Sequence, residues 1–178
     1  MGAKASLVVF GDLWAALWNG GEPDRSAAEA VIRALHPEYE VEPAADSTLA
    51  DETFPRHPDH AYVAVLPEAT IVCDRTIEED AVLDFAAGRP VVVFQRDSDS
   101  FSFTEWWDGC EVRTEEDQDG TADDVAAQIF GLAGQSELEG VVMHGFRLIH
   151  PRQAEIEAAV ARFSRSAGFT AQRPTTTP

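Results

Sequence analysis

The sequence predicts an α+β or mixed α/β layered domain, with a mixed sheet and about four to five helices. Three observations predict it. Short apolar runs rich in β-branched residues recur at 6–10, 62–66, 70–73, 90–94 and 141–149, each the length of a strand. Between them the apolar residues repeat with the helical period, as in Ala28, Val31, Ile32 and Leu35. The two kinds of segment follow one another as strand, two helices, strands, helix, three strands, helix, strand, helix. That order departs from the regular alternation of an all-parallel doubly wound sheet. Residues 1–168 are expected to fold as one domain, with 169–178 as a polar, proline-rich tail.

Ser6 to Phe10 make the first strand, which meets Gly11-Asp12. Leu13, Trp14, Leu17 and Trp18 then have the spacing of a short helix ended by Asn19-Gly20-Gly21. Pro23-Asp24 opens a second helix, in which Ser26 and Glu29 have capping-box spacing. His36-Pro37 stops it, because the residue before a proline disfavours the helical region. Tyr39 and Val41 alternate with Glu40 and Glu42, as in a half-buried strand. Residues 44–60 have neither period and hold Pro55 and Pro58, so a surface loop covering one end of the sheet is expected.

Thr76 and Glu79 repeat the capping-box spacing ahead of Ile77, Ala81, Val82 and Phe85, and Gly88 closes that helix. Residues 70–94 thus outline a strand–helix–strand crossover, whose strands run parallel if they share a sheet. Phe101 and Phe103 alternate with Ser102 and Thr104, and Asp108-Gly109 is a hairpin-turn signal before 110–113. The acids at 115–119 read as a solvated loop. Thr121 and Asp124 start a helix with Val125, Ile129, Leu132 and Ala133 inward. Pro151 starts the last one, with Ile156, Ala159, Val160 and Phe163 as its stripe.

Charge excludes more than any motif does. The chain carries 32 acidic and 13 basic side chains, a formal charge of −19, and Lys4 is its single lysine. A surface this negative repels phosphate backbones and anionic headgroups, so neither direct nucleic-acid binding nor membrane binding is expected. No run approaches the roughly 18 apolar residues of a membrane span, and the N-terminal apolar run is too short for a signal-peptide core. A cytoplasmic setting follows as the expectation. The acidity fits salt-adapted and GC-rich proteomes. It also fits a more specific reading, an acidic decoy that imitates nucleic acid or occupies a basic protein partner.

The residues able to carry chemistry are few. Cys73 and Cys110 are expected to be free thiols, and the neighbours Asp74 and Arg75 leave an activated Cys73 thiolate open. Asp12 stands where a phosphate would sit after the first strand, and no glycine fingerprint accompanies it. His57 and His60, with Asp51, Glu52 and Asp59 nearby, could ligate a divalent ion, but Pro58 between them prevents a helical presentation. No metal and no other cofactor is therefore expected, His57 and His60 being the weak candidates. No nucleophile elbow and no paired carboxylates appear, so no catalytic residue is assigned.

Strand alternation sends Trp106 and Trp107 to opposite faces, so one of them is expected to be exposed within an acidic rim. Glu105, Trp106, Trp107, Asp108, Glu115 and Glu116 form the candidate binding face. The leading reading is an acidic, non-catalytic binding or accessory protein using that aromatic and acidic hairpin. The competing class is a small metal- or thiol-dependent enzyme with a site near His57, His60, Asp12 and Cys73.

Met1-Gly2-Ala3-Lys4, the stretch Ile32-Arg33-Ala34-Leu35-His36-Pro37-Glu38-Tyr39, Cys73-Asp74-Arg75, and Trp107-Asp108-Gly109 with Arg113 together resemble an uncharacterised actinobacterial family of unknown function. The resemblance runs over roughly residues 1–115, with a weaker echo in 130–146. Members tend to carry a His-Ser-Val-x-Asp-Trp-like stretch before the tryptophan hairpin, where this chain has Arg96-Asp97-Ser98-Asp99-Ser100. The resemblance implies an actinobacterial or actinophage origin and a cytoplasmic setting. It supplies no activity.

Overall fold

A computed structural model describes residues 5–52, 55–97, 100–117 and 140–166. Its strands are β1 (Ala5–Gly11), β2 (Glu40–Pro43), β3 (Ser47–Thr48), β4 (His60–Val65), β5 (Ala69–Asp74), β6 (Val91–Asp97), β7 (Ser100–Trp107), β8 (Cys110–Asp117) and β9 (Val142–Ile149). The helices are α1 (Leu13–Asn19), α2 (Arg25–Leu35), α3 (Leu49–Glu52), α4 (Glu79–Ala86) and α5 (Gln153–Ser166).

The strands join into one open sheet in the order β2-β9-β4-β5-β1-β6-β7-β8, with β3 beside β2 on the outer edge of β9. Among the described residues every neighbouring pair is antiparallel. This corrects the expected α+β or mixed α/β layered domain: among the described residues the sheet is antiparallel rather than mixed, and it dominates while short helices lie on it. The cause is the position of β1. It pairs with both β5 and β6, so those two strands are parallel to each other but never touch. The strand–helix–strand outline at 70–94 is real, and β1 fills the gap it leaves.

Other local expectations also change. Asp24, not Ser26, caps α2, its carboxylate accepting from Ser26 N at 2.8 Å and Ala27 N at 3.1 Å. Thr76 does not cap α4, because its hydroxyl and amide are both bonded to Asp74. Residues 44–60 are not one loop. They include β3 and the single-turn α3, whose Leu49 is buried. Glu115 to Asp117 belong to β8 rather than to a loop. Pro151 lies in the turn before α5, and Ala159 and Val160 are exposed. The helix expected over 121–133, residues 53 and 54, and the tail lie outside the described residues.

Apolar side chains alternate through the central strands onto both faces of the sheet. Leu7, Val9, Tyr62, Ala64, Ile71, Cys73 and Met143 lie on one face, under Leu13 and Ala16 of α1 and Leu49 of α3. Val8, Phe10, Val63, Val72, Val91, Val93 and Phe146 lie on the other, under Ala28, Val31, Ile32 and Leu35 of α2 and Val82 and Ala86 of α4. Antiparallel sheets usually leave one face wet, but burial of both explains why the central strands read as continuous apolar runs. Among the described residues, no helix is long and apolar enough to cross a membrane.

Two opposite ends of the sheet matter for function. Ser6, Ala61 and Asp74 are in register at one end, next to His60. Phe10, Thr70, Val91 and Trp106 are in register at the other, which carries the β7–β8 turn.

Candidate functional site

The hairpin tip is set by Asp108 and Gly109, with φ of 52° and 73°. Two consecutive left-handed residues make the type I′ turn that matches the twist of paired strands. Trp106 enters the core under α4 with Val82, Val91 and Val93 and is only 7% exposed. Trp107 points the other way and is 60% exposed. Asp108 and Glu111 are exposed and Glu105 is half-buried. Glu115 and Glu116 stand opposite Phe103 and Ser102 on β8, and their side chains lie outside the description. A bulge between Glu105 and Trp106 shifts the register, and Val112, within it, is 61% exposed.

The residues of the enzyme reading do not converge. Asp12 caps α1 by accepting from Ala15 N at 2.9 Å, at the Gly11–Ala69 end of the sheet. His57 and His60 are at the opposite end, with ring centroids 5.1 Å apart. His60 Nδ1 is 2.9 Å from Asp59 Oδ1, and Arg147 Nε donates to Asp59 Oδ2 at 3.3 Å. The bond from His60, then that from Arg147, hold the Asp59 carboxyl below its ordinary value against its partial burial. Cys73 is fully buried on β5, and burial pushes its thiol far up, Glu52 and Asp74 adding to the effect. Such a thiol has almost no thiolate to offer at neutral pH. Among the described residues, no three His, Cys, Asp or Glu side chains gather as a metal set.

No motif pointed to a cleft at the His60–Asp74 end. It has a volume of about 450 Å³ and is lined by Tyr39, Pro58, Asp59, Thr76, Arg147, Leu148, Ile149, His150 and Gln153. Ligand pockets commonly measure about 300–1,000 Å³. Behind its wall lies a buried pair: His36 Nε2 meets Asp74 Oδ2, with both side chains almost wholly enclosed. Asp74 Oδ1 accepts from Thr76 N at 2.7 Å and from Thr76 Oγ1 at 2.9 Å. Tyr39 stands edge-on to both His36, at 5.3 Å, and His150, at 5.2 Å.

Topology assembles these residues. His36 ends α2, Asp74 ends β5, and the last residues of β9 pass between β2 and β4. His36 and Asp74 are 38 positions apart, so no spacing rule joins them. Their only shared signal is membership of 32–39 and 73–75, two of the stretches on which the family resemblance rests.

A model of a family of unknown function, DUF6928, matches residues 5–115. The chain belongs to that family. No curated protein and no solved structure matches it. The part matched to DUF6928 holds the His36–Asp74 pair and both hairpin tryptophans. Arg147 and His150 of the cleft, on β9 and just after it, lie beyond the match.

Proposed function

We propose that this member of DUF6928 is an acidic, non-catalytic binding or accessory protein that docks a basic protein partner on its β7–β8 hairpin tip. The observation that carries the reading is Trp107, 60% exposed on a two-residue turn while its neighbour Trp106 anchors the same strand in the core. A tryptophan held on a rigid hairpin offers a large apolar contact and loses little freedom on binding, as interface hot spots require. Asp108 and Glu111 flank it, and the whole chain carries a charge of −19. That combination suits a partner with Arg or Lys around an apolar pocket, drawn in faster at low ionic strength. The enzyme reading loses support from the enclosed Cys73 and from the distance that separates Asp12 from His57 and His60. A cytoplasmic setting and an actinobacterial or actinophage source belong to the same proposal, resting on composition and on the family resemblance.

The test is a photo-reactive phenylalanine analogue placed at 107 in the native host, with the exposed Arg33 position of α2 as control. One basic protein cross-linked from 107, less so at high salt and not from 33, is the expected result. Cross-linking that is equal from both positions, or absent from 107, ends the proposal.

A further inference from the structure

We propose that the cleft at the His60–Asp74 end binds a small organic anion, a carboxylate or a phosphate monoester on an apolar body. The proposal is independent of the hairpin reading, because the two surfaces occupy opposite ends of the sheet. It starts from unspent donors. Arg147 uses Nε on Asp59, and among the described residues its two terminal amino groups have no protein acceptor. His150 Nδ1 accepts the backbone N–H of Arg152 at 3.1 Å, which places the ring proton on Nε2. That N–H has no protein acceptor among the described residues either, and His150 lines the cleft. The 14-residue α5 begins three residues further on, so the positive end of its dipole adds to the same region.

Asp59 in the cleft wall offsets the charge of Arg147, but it occupies only Nε and leaves the terminal amino groups to bond a ligand. Both oxygens of Asp59 are already engaged, one by His60 and one by Arg147. The charge of −19 opposes approach of any anion from a distance, but that field is screened beyond about 8–10 Å at ordinary ionic strength. At contact, a guanidinium and an imidazole N–H decide, and bonds to charged groups are the strong ones. The remaining lining (the edge-on Tyr39 ring, Pro58 and Ile149) is apolar and suits a small hydrocarbon or aromatic body. Thr76 closes the floor. Its hydroxyl proton is committed to Asp74, so it offers an incoming ligand acceptor lone pairs only.

Amide-resolved NMR titration of the full chain with benzoate, phenyl phosphate and the neutral isostere benzamide tests this. At least one of the two anions should give saturable shifts at 148–153, and should bind at least about tenfold tighter than benzamide, or 1.4 kcal/mol. The tighter of the two names the head group. Arg147→Met should lose at least that factor while Arg147→Lys keeps most of the binding. His150→Phe, whose ring has no donor, provides a second removal of a donor should Arg147→Met fail to fold. Amides at 107–112 should stay still throughout, which separates this outcome from the fate of the hairpin proposal. Benzamide binding as tightly as both anions, no saturable shift with any probe, or wild-type affinity in every folded variant would overturn it.

Discussion

Asp74 has given up all contact with water and receives in return His36, the Thr76 amide and the Thr76 hydroxyl. Removing one member of a buried set strands the others, a loss that costs more than the set contributes. Asp74→Ala should therefore destabilise the fold by about 3–5 kcal/mol, read as a lower urea midpoint. The double variant Asp74→Leu with His36→Leu should recover part of that loss, since it leaves no unpaired ring. A double variant worse than Asp74→Ala would show that the pair is needed for more than its own satisfaction. Asp46 makes the complementary case at the surface. Burial raises its carboxyl, but Arg25, His144 and the Gly145 amide outweigh that and hold it below 3.8. Its folded value is depressed, so its stabilisation is complete above 3.8 and is lost as pH falls through the lower folded value. The gap in thermal midpoint between wild type and Asp46→Asn should accordingly be widest near neutrality and close in acid. At this scale the opposite fates of Trp106 and Trp107 were legible, because strand alternation is a local rule. The His36–Asp74 pair was not, because only the tertiary fold brings a helix end to a strand end.

Elements were legible wherever burial imposed a period. The α2 stripe and the runs of β1, β4, β5 and β6 each fill one or both sheet faces, and the sequence shows it. Caps and edges misled instead, since short polar side chains have several partners within reach. Thr76 could serve the end of α4 or the carboxylate of Asp74, and the buried group wins because leaving it unpaired costs more. The acids of β8 suggested a loop because an edge strand needs no apolar face to remain paired. Gly145 breaks the apolar run of β9 and is a necessity there. Between β2 and β3 the chain arches over β9, Ala44 N donates to Gly145 O at 2.8 Å, and a Cβ on Gly145 would overlap the Ala45 carbonyl oxygen. Gly145→Ala should thus cost about 1–3 kcal/mol as an overpacking defect, with amide exchange quickening at Ala44 and Leu49 before it does in β5. Wild-type stability in that variant would mean that the arch moves freely.

For the whole molecule the decisive strand comes late. The DUF6928 match ends at residue 115, yet β9, at Val142–Ile149, pairs with β4 on one side and with β2 and β3 on the other. Met143 and Phe146 are fully buried, one in each face of the core. A chain cut after residue 115 should lose its cooperative urea transition and bind hydrophobic dyes, while one ending at residue 166 keeps the transition. Cooperative unfolding of the shorter chain would show that the matched region is self-sufficient. Strand order was beyond the reach of periodicity. A pattern says that a segment is buried, not which neighbour buries it, and both β1 and β9 sit between strands remote from them in sequence.

The late place of β9 also bears on how the chain is made. A ribosome releases β4 about 80 residues before β9, and at elongation rates of about 5–20 residues per second several seconds separate them. Throughout that interval β4 presents an unpaired row of amides and carbonyls flanked by Tyr62 and Val63, the kind of edge on which neighbouring nascent chains zip together. Crowded polysomes translating this message are therefore where insoluble product should first form, and slowing initiation or supplying trigger-factor-type holdases should raise the soluble yield more than any change to the finished fold.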